Sequence, residues 1–341
     1  MKRKYKYLLV LVMLILGTAV LINIEKSTEV ASENDLYERE VTIEDSNLEQ
    51  AIRKELDIPT RELTKVDLLQ LNELKANNKE VLSLRGLEHA LNLTKLTLDS
   101  NRIKDISYLS SLINLTELSL HWNQVSDITA LENLTNLTEL VLSSNLINQI
   151  SPLNALTNLI YLEIAQNQIS DISALSVLTN MECLCLFHNQ ISDIEPLTNL
   201  TNLSHLSLGR NQISDISSVT ALANLQSLYL DENKITNISP LSSLKNLKVL
   251  EIGKNQIDDI AALSELVNIN VLWLNDNKIY DVVALGDLIH LEELVIRENL
   301  LTDISVLATL RELKILDISG NNITNISALD SLPNLIHLIY K

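Results

Sequence analysis

A 22-residue period runs through most of this chain and limits what it can fold into more than any other feature. The segment Leu93–Asn114 recurs to the end of the chain with the frame L-x-x-L-x-L-x-x-N-x-I-x-D-I-x-x-L-x-x-L-x-N. A fixed period of this length is typical of a stacked repeat architecture. One asparagine keeps its place in every copy, and we call this set the asparagine ladder: Asn101, Asn123, Asn145, Asn167, Asn189, Asn211, Asn233, Asn255, Asn277, Asn299 and Asn321.

Each copy divides into a strand and a series of tight turns. In the first copy Leu96 and Leu98 alternate with polar residues, which is the two-residue period of a strand with one buried face. From Ile103 to Leu112 apolar residues fall at every third position, a spacing that favours partly 3₁₀ turns. Because one coil cannot bury its own leucines, the coils must stack and share a continuous core.

The ladder asparagines are expected to have a structural role. An asparagine side chain offers two donors and one acceptor, so it can satisfy backbone groups of a turn that would otherwise be buried without partners. We therefore predict a buried, multiply bonded ladder with no part in catalysis.

The charge of the chain disfavours two classes of partner. The net charge is −18, and residues 1–27 hold five basic residues and one acidic residue. The remaining residues therefore carry about −22, from 21 basic and 43 acidic side chains, with no basic patch. Such a surface repels nucleic acid and anionic membranes, so we expect neither to be a partner.

The amino-terminal segment has the pattern of an export signal. Four basic residues within the first six positions precede an apolar run from Leu8 to Ile22, which is short for a membrane-spanning helix and typical of a signal peptide. Both Ala19 and Ala31 end imperfect cleavage motifs, so an uncleaved amino-terminal anchor stays open as the alternative. We assign 1–31 to the signal or anchor with the start of a linker, and 32–40 to the rest of the linker.

A polar cap over the first coil is predicted from residue 41 to residue 92. Ser46 and Glu49 have the spacing of a capping box at the start of a helix that ends before Pro59. A second short helix is expected over 64–74, followed by a degenerate coil over 71–92 with Lys79 in the ladder position. The repeats with the asparagine ladder then occupy 93–341, with a last strand at the carboxyl end.

The cap and the repeats together resemble the internalins, exported leucine-rich repeat proteins of Gram-positive bacteria. The stretch VTIEDSNLEQAIRKEL and the phrases NQISDISAL and NKITNISPL carry the likeness, which covers residues 41 to 341. The resemblance implies an α/β fold: a right-handed leucine-rich repeat solenoid with a parallel sheet on its concave face, 3₁₀ or irregular turns on its convex face and a small helical cap. It also implies a secreted or cell-surface protein that binds a protein of the host or of the bacterial surface through the concave face.

Two other function classes were weighed against this interpretation. Similar 22-residue repeats occur in intracellular regulators of phosphatases, and the export signal argues against that alternative. An enzyme is disfavoured because the sequence contains no glycine-rich phosphate loop, no H-E-x-x-H and no G-x-S-x-G. We therefore expect a non-catalytic protein without a cofactor.

Metal binding has two candidate positions, and neither is favoured. An aspartate column that includes Asp105 and Asp303 suits either turn caps or a calcium ladder, and neutral residues such as Asn237 in the same column favour caps. Cys183, Cys185 and His205 are expected to share one face, where thiolates and imidazole suit zinc or copper. No fourth ligand is evident there, so we assign no metal site.

Aromatic residues identify the predicted binding face. The repeat frame itself needs only leucine and isoleucine, and aromatic residues make up 3% of the chain. Both tryptophans and the only phenylalanine nevertheless fall at positions expected to face the concave side, where aromatic anchors are typical of protein interfaces. These positions are Trp122, Tyr161, Phe187, Tyr229 and Trp273.

The later repeats are expected to carry the main contact. Tyr229 and Trp273 should lie in one column about 10 Å apart, with Glu251 between them, because adjacent strands are about 4.8 Å apart. A charged rim of Asp231, Lys254, Glu293 and Arg297 is expected around the apolar centre. The predicted main patch consists of Tyr229, Val249, Val271, Trp273, Val295 and Ile315, and Trp122, Tyr161 and Phe187 form a second candidate.

Overall fold

Thirteen short parallel strands form one sheet in the computed structural model, which describes residues 40–341. The predicted signal or anchor and nearly all of the predicted linker lie outside the described residues. Strand order follows chain order, as expected when each coil stacks on the one before it. The strands are β1 Glu73–Lys75, β2 Lys95–Thr97, β3 Glu117–Ser119, β4 Glu139–Val141, β5 Tyr161–Glu163, β6 Cys183–Cys185, β7 His205–Ser207, β8 Ser227–Tyr229, β9 Val249–Glu251, β10 Val271–Trp273, β11 Glu293–Val295, β12 Ile315–Asp317 and β13 His337–Ile339.

The coils return on the other side of the molecule through 3₁₀ turns, as the three-residue spacing of apolar positions predicts. Twelve such turns lie between the strands, one in each coil. The predicted leucine-rich repeat solenoid, with a parallel sheet on the concave face and 3₁₀ turns on the convex face, is therefore confirmed. The 3₁₀ turns are Leu87–His89, Ser107–Leu109, Thr129–Leu131, Ser151–Ala155, Ser173–Val177, Glu195–Leu197, Ser217–Ala221, Ser239–Ser243, Ala261–Glu265, Val283–Asp287, Ser305–Thr309 and Ser327–Ser331.

The core is a continuous column of leucine and isoleucine between the sheet and the turns. The central residue of every strand is a leucine, and each pairs in register with the central leucine of the next strand, as Leu184 does with Leu206. The 3₁₀ turns contribute one fully buried apolar residue each in the middle coils, as Leu197 does. Burying a leucine contributes about 1.5–3 kcal/mol, so a coil gains its stability from the coils on either side.

Helix α1 spans Ser46–Leu56 and covers the first coil with Leu48 and Ile52. The predicted capping box is wrong, because Ser46 is already helical and the N-cap is Asp45. The carboxylate of Asp45 accepts hydrogen bonds from the backbone N–H groups of residues 47 and 48, and a negative charge is favourable at a helix amino terminus. Its second oxygen accepts from Leu82 N at 2.7 Å, which ties the helix to the first coil.

Helix α2 is only four residues long, Lys65–Leu68, where the sequence predicted a helix over 64–74. A capping box does start it, since Thr64 and Asp67 each accept from the backbone N–H of the other. Arg61 donates to both carboxylate oxygens of Asp67 and holds the pKa of that carboxyl well below its usual range. The helix cannot extend because Leu74 belongs to β1, where pairing with β2 takes precedence over local helical preference.

Within residues 40–341, no helix has the length and apolar character needed to cross a bilayer.

Candidate binding face

The ladder asparagines connect neighbouring coils through their side-chain amides. Asn211 Oδ1 accepts from Ile191 N at 3.0 Å, and Asn211 Nδ2 donates to Leu186 O and Leu208 O, both at 3.0 Å. The same pattern repeats from Asn101 to Asn321. The ladder side chains are buried except in the last coil, where Asn321 is half-buried. These asparagines therefore occupy the turn that follows each strand and satisfy its backbone groups.

The residue before each ladder asparagine adopts the left-handed conformation. Trp122 has a φ of 57°, and its N–H donates to Ser143 O of the next coil. Trp122 therefore lies in the turn that follows β3 and not within the strand, and its place on the concave face stays a prediction. It is 65% exposed and lies beside the imidazole of His121, with ring centroids 5.8 Å apart.

Two columns of side chains project outward from the sheet, one from the first and one from the third residue of each strand. Tyr161, Val249, Val271 and Ile315 occupy the first column. The third-residue column carries the rest of the strand residues proposed from the sequence: Tyr229, Trp273 and Val295. Phe187 lies two residues beyond the end of β6 and is half-buried.

The six residues of the predicted main patch lie together on β8 to β12, and we call this surface the Trp273 patch. In the third-residue column Glu251 pairs with Tyr229 on one side and with Trp273 on the other. Trp273 is 36% exposed, and its indole Nε1 donates to Glu293 Oε1 at 2.8 Å. Val249 and Val271 form the adjoining part of the first column.

One carboxylate of the predicted rim has a different place in the structure. Glu293 lies inside the patch, because it pairs with Val271 on one side and with Ile315 on the other. Lys254 Nζ forms a salt bridge with Glu232 Oε1 at 2.8 Å. Glu251 and Glu293 therefore interrupt the apolar surface, and Glu251 lies between Tyr229 and Trp273 as the spacing predicts.

Two half-buried acids in and beside the patch have raised pKa values. Burial raises the pKa of Glu251, and the neighbouring carboxylates of Asp231 and Glu293 raise it further. Burial is also the main cause of the raised pKa of Asp231, which lies two residues beyond Tyr229. The Arg210 and Lys254 cations offset part of the rise in the pKa of Asp231, whereas the rise in the pKa of Glu251 is not offset by a cation.

Tyr161 and Phe187, the rest of the second candidate, are partly engaged by their neighbours. The Tyr161 hydroxyl donates to Glu163 Oε2 at 2.9 Å, and burial together with that carboxylate raises the pKa of the phenol. The Arg210 guanidinium lies over the Phe187 ring, 5.4 Å from its centroid.

The two cysteines are free thiols on β6. Cys183 lies between Tyr161 and His205 in register, and Cys185 lies between Glu163 and Ser207. Burial raises the pKa of both thiols, which disfavours the thiolate form that binds metal. In the part of the chain that the structure describes, no group of three or more histidine, cysteine or acidic side chains has metal-binding geometry.

The aspartate column caps the 3₁₀ turns. Asp171 Oδ1 accepts from Ser173 N at 2.8 Å, and the neutral Asn237 makes the same bond to Ser239 N at 2.9 Å. Equivalent bonds occur at the other aspartates of the column and at Asn325. The equivalence of aspartate and asparagine is expected for a cap, which needs only a short side-chain acceptor.

Comparison with known proteins identifies the repeat family. A family model described as "Leucine Rich repeats (2 copies)" matches 91–133, 135–177, 179–221 and 223–265, and a "Leucine Rich repeat" model matches 309–329. No sequence among curated proteins matches the chain.

Three solved structures illustrate the similarity. An internalin (inlF) of Listeria monocytogenes is 35% identical with a TM-score of 0.78, and the alignment covers 87% of this chain and 95% of that one. Internalin C2 of the same organism is 33% identical over 67% of this chain and 92% of its own, with a TM-score of 0.53. A plant peptide hormone receptor, RGFR1 in complex with RGF2, shares the fold at 23% identity and a TM-score of 0.69, covering 80% of this chain and 52% of the receptor. With half of its length matched by the repeat model and its strands and turns in the expected order, the chain belongs to the leucine-rich repeat family.

Proposed function

We propose that this chain is an exported, internalin-like protein that binds a protein partner through its concave face and catalyses no reaction. Its similarity to two internalins, at 35% and 33% identity, supports the internalin-like assignment. The basic and apolar residues at the amino terminus support export. Leucine-rich repeat domains commonly bind protein partners, and in the plant receptor the same fold is found with a peptide.

The observation that carries the proposal is the Trp273 patch. The repeat frame does not require an aromatic residue at the third position of a strand. Tyr229 and Trp273 nevertheless both occupy that position, within three consecutive coils. Trp273 and Ile315 are each 36% exposed, next to half-buried valines. Apolar side chains grouped at the centre of an open face, with tryptophan among them, are typical of protein interfaces.

Binding can be tested with variants of this patch. The exported protein is immobilised and exposed to surface proteins of host cells and of the producing bacterium, and the affinity of any partner is measured. We expect Trp273→Ala to weaken binding by at least about 2 kcal/mol if the indole is an anchor. Tyr280→Ala is the matched control, because Tyr280 is 63% exposed but lies outside the strand columns.

Two outcomes would contradict this placement of the site. Unchanged affinity of the Trp273→Ala, Tyr229→Ala double variant would show that the partner contacts another surface. A lower melting temperature with unchanged binding would show that the patch serves stability.

Export has an independent test in cell fractionation with amino-terminal sequencing. We expect the protein outside the cytoplasm, shortened by about 20–30 residues if the signal is cleaved. A full-length cytosolic product would contradict export and favour the intracellular regulator of the phosphatase-associated type.

A further inference from the structure

The centre of the Trp273 patch is acidic as well as apolar. Trp273 lies between two carboxylates, since it neighbours Glu251 in its own column and donates its Nε1 hydrogen to Glu293. Glu251 and Glu293 are half-buried. Among residues 40–341, neither takes part in a salt bridge. The two carboxylates beside Trp273 are therefore not neutralised by a salt bridge within the described residues.

The opposite end of the same sheet shows how the molecule pairs such a group. Glu117 occupies the same column as Glu293, and its Oε1 lies 2.7 Å from Lys95 Nζ on the neighbouring strand. The neighbours of Glu293 in that column are Val271 and Ile315, neither of which carries a charge. The acid is the same in both places, but Glu293 has no basic neighbour in its column.

Covering this patch has an energetic consequence. A protein that buries the Trp273 indole must also remove Glu251 and Glu293 from water. Burying an ionised carboxylate without a partner is strongly unfavourable, whereas a cation with hydrogen bonds offsets the loss of hydration. The raised pKa of Glu251 shows that its ionised form already lacks compensation before anything docks.

We infer that the Trp273 patch binds a polypeptide segment that presents an arginine flanked by apolar side chains. The inference rests on the proposed protein-binding function. The guanidinium would lie over the Trp273 indole and donate to Glu251 and Glu293, while the flanking side chains contact Val249 and Val271. Arginine fits better than lysine because its planar fork stacks on aromatic rings and pairs with carboxylates through several donors.

Charge complementarity also argues against a second copy of the chain as the occupant. Residues 28–341 carry a net charge of about −22, so two copies repel each other.

The test uses a random heptapeptide library displayed on phage and selected against the immobilised, exported protein. Peptides that bind are synthesised in their selected form and with each arginine changed to glutamine. Their affinities are measured for the parent, for Trp273→Ala, for the double variant Glu251→Gln, Glu293→Gln, and for the control double variant Glu117→Gln, Glu139→Gln. The control removes the same two charges from the same face, away from the patch, and a thermal melt of each variant establishes that it is folded.

We expect the selected peptides to contain an arginine beside apolar residues. Changing that arginine to glutamine should weaken binding to the parent and to the control by about 10-fold or more, and should have little effect on the Glu251→Gln, Glu293→Gln variant. Arginine replaced by lysine should bind less tightly than the selected peptide. Sedimentation of the parent alone should show a monomer.

Several outcomes would overturn the inference. The selected peptides could lack arginine, or no peptide could be selected. Changing the arginine of a peptide to glutamine could weaken its binding to the parent and to the Glu251→Gln, Glu293→Gln variant equally. The parent could also form a dimer that Trp273→Ala abolishes. If the peptides bind the Trp273→Ala variant more weakly but bind the Glu251→Gln, Glu293→Gln variant as tightly as the parent, the arginine inference is contradicted and the proposed binding face stands. Peptides that bind all variants equally would contradict both proposals.

Discussion

Asn211 shows how one residue can serve two neighbouring coils. Its Oδ1 accepts from Ile191 N of the preceding coil, and its Nδ2 donates to Leu186 O of that coil and to Leu208 O of its own. A carboxylate has no donor for the two carbonyl groups, and a hydroxyl has a single donor. The amide is therefore required by hydrogen-bond chemistry, which is why it keeps its place through eleven copies.

Replacing this amide is expected to cost more than replacing its exposed neighbour. Asn211→Ala leaves the buried Ile191 N without its partner and takes one of two amide donors from Leu186 O and from Leu208 O, so we expect a loss of about 1–3 kcal/mol in the free energy of unfolding. Gln212→Ala is the control, since Gln212 is exposed and its change should stay within about 0.5 kcal/mol. Denaturant melts of both variants measure the difference, and equal losses would contradict the structural role of the ladder.

Trp122 shows a backbone conformation that the sequence does not reveal. The two-residue alternation of β3 gives no sign of a turn after His121, but the backbone turns at Trp122 with a φ of 57°. Glycine and asparagine usually mark such left-handed positions. In this chain the position is filled by unrelated residues, among them Gln166, Arg210 and Glu232, because stacking of the coils imposes the conformation. No local signal therefore distinguishes it.

Each residue of the aspartate column caps the start of a 3₁₀ turn. Hydrogen bonds from Ser173, from its backbone N–H and from its side chain, lower the pKa of Asp171. The hydroxyl and the backbone N–H of Thr129 lower the pKa of Asp127 in the same way. A carboxyl whose pKa is lower in the folded state stabilises the fold above its unfolded pKa. That contribution is lost as the pH falls through the folded value.

We therefore expect the stability of the protein to fall as the pH drops below about 4, the ordinary pKa of aspartate. Asp171→Asn keeps a side-chain acceptor, as Asn237 does naturally, so it should change stability little at pH 7 and remove one part of the acid dependence. Asp171→Ala loses the cap and should cost about 0.5–1 kcal/mol at pH 7. Urea melts from pH 7 to pH 3 compare the three proteins. A steeper acid loss for Asp171→Asn than for the parent would contradict the cap.

The amino-terminal cap shows how element boundaries depend on contacts that the local sequence does not reveal. Ser46 and Glu49 have the spacing of a capping box, but the N-cap residue is Asp45, because its second oxygen also accepts from Leu82 N of the first coil. That bond joins residues 37 positions apart. Similarly, the predicted second helix ends early because Leu74 pairs with Leu96 in the sheet. In both cases a tertiary contact decides between local alternatives.

At the scale of the whole molecule, the repeat period made the fold predictable. It determines the strand, the turn and the ladder, and stacking follows because a single coil cannot bury its leucines. The composition of the Trp273 patch was also predictable, since column membership follows from spacing. The pairing of charges was not. The place of Glu293 between Val271 and Ile315 follows from the 22-residue spacing, but its bond with Trp273 Nε1 depends on which side chains reach across strands.

The coil that contains β13 should be less stable than an inner coil, because its central leucine is less buried. Each inner coil is covered on both sides, whereas β13 pairs with β12 alone. The central leucine of the sheet makes the comparison direct, because Leu206 on β7 is fully buried and Leu338 on β13 is half-buried in the same column. Coupling in such a stack runs mainly between neighbouring coils, so the last coil can open while the others stay folded.

We expect Leu206→Ala to cost about 2–5 kcal/mol in the free energy of unfolding, because it leaves a cavity between two covered coils. Leu338→Ala should cost about 1 kcal/mol, since that side chain loses less buried surface and its coil can relax. In native-state hydrogen exchange, the amides of residues 336–339 should exchange before those of residues 205–208, even in the parent. Denaturant melts give the two losses and exchange gives the order of opening. Equal losses, together with equal protection of the two strands, would show that the coils unfold as a single unit and not from the end.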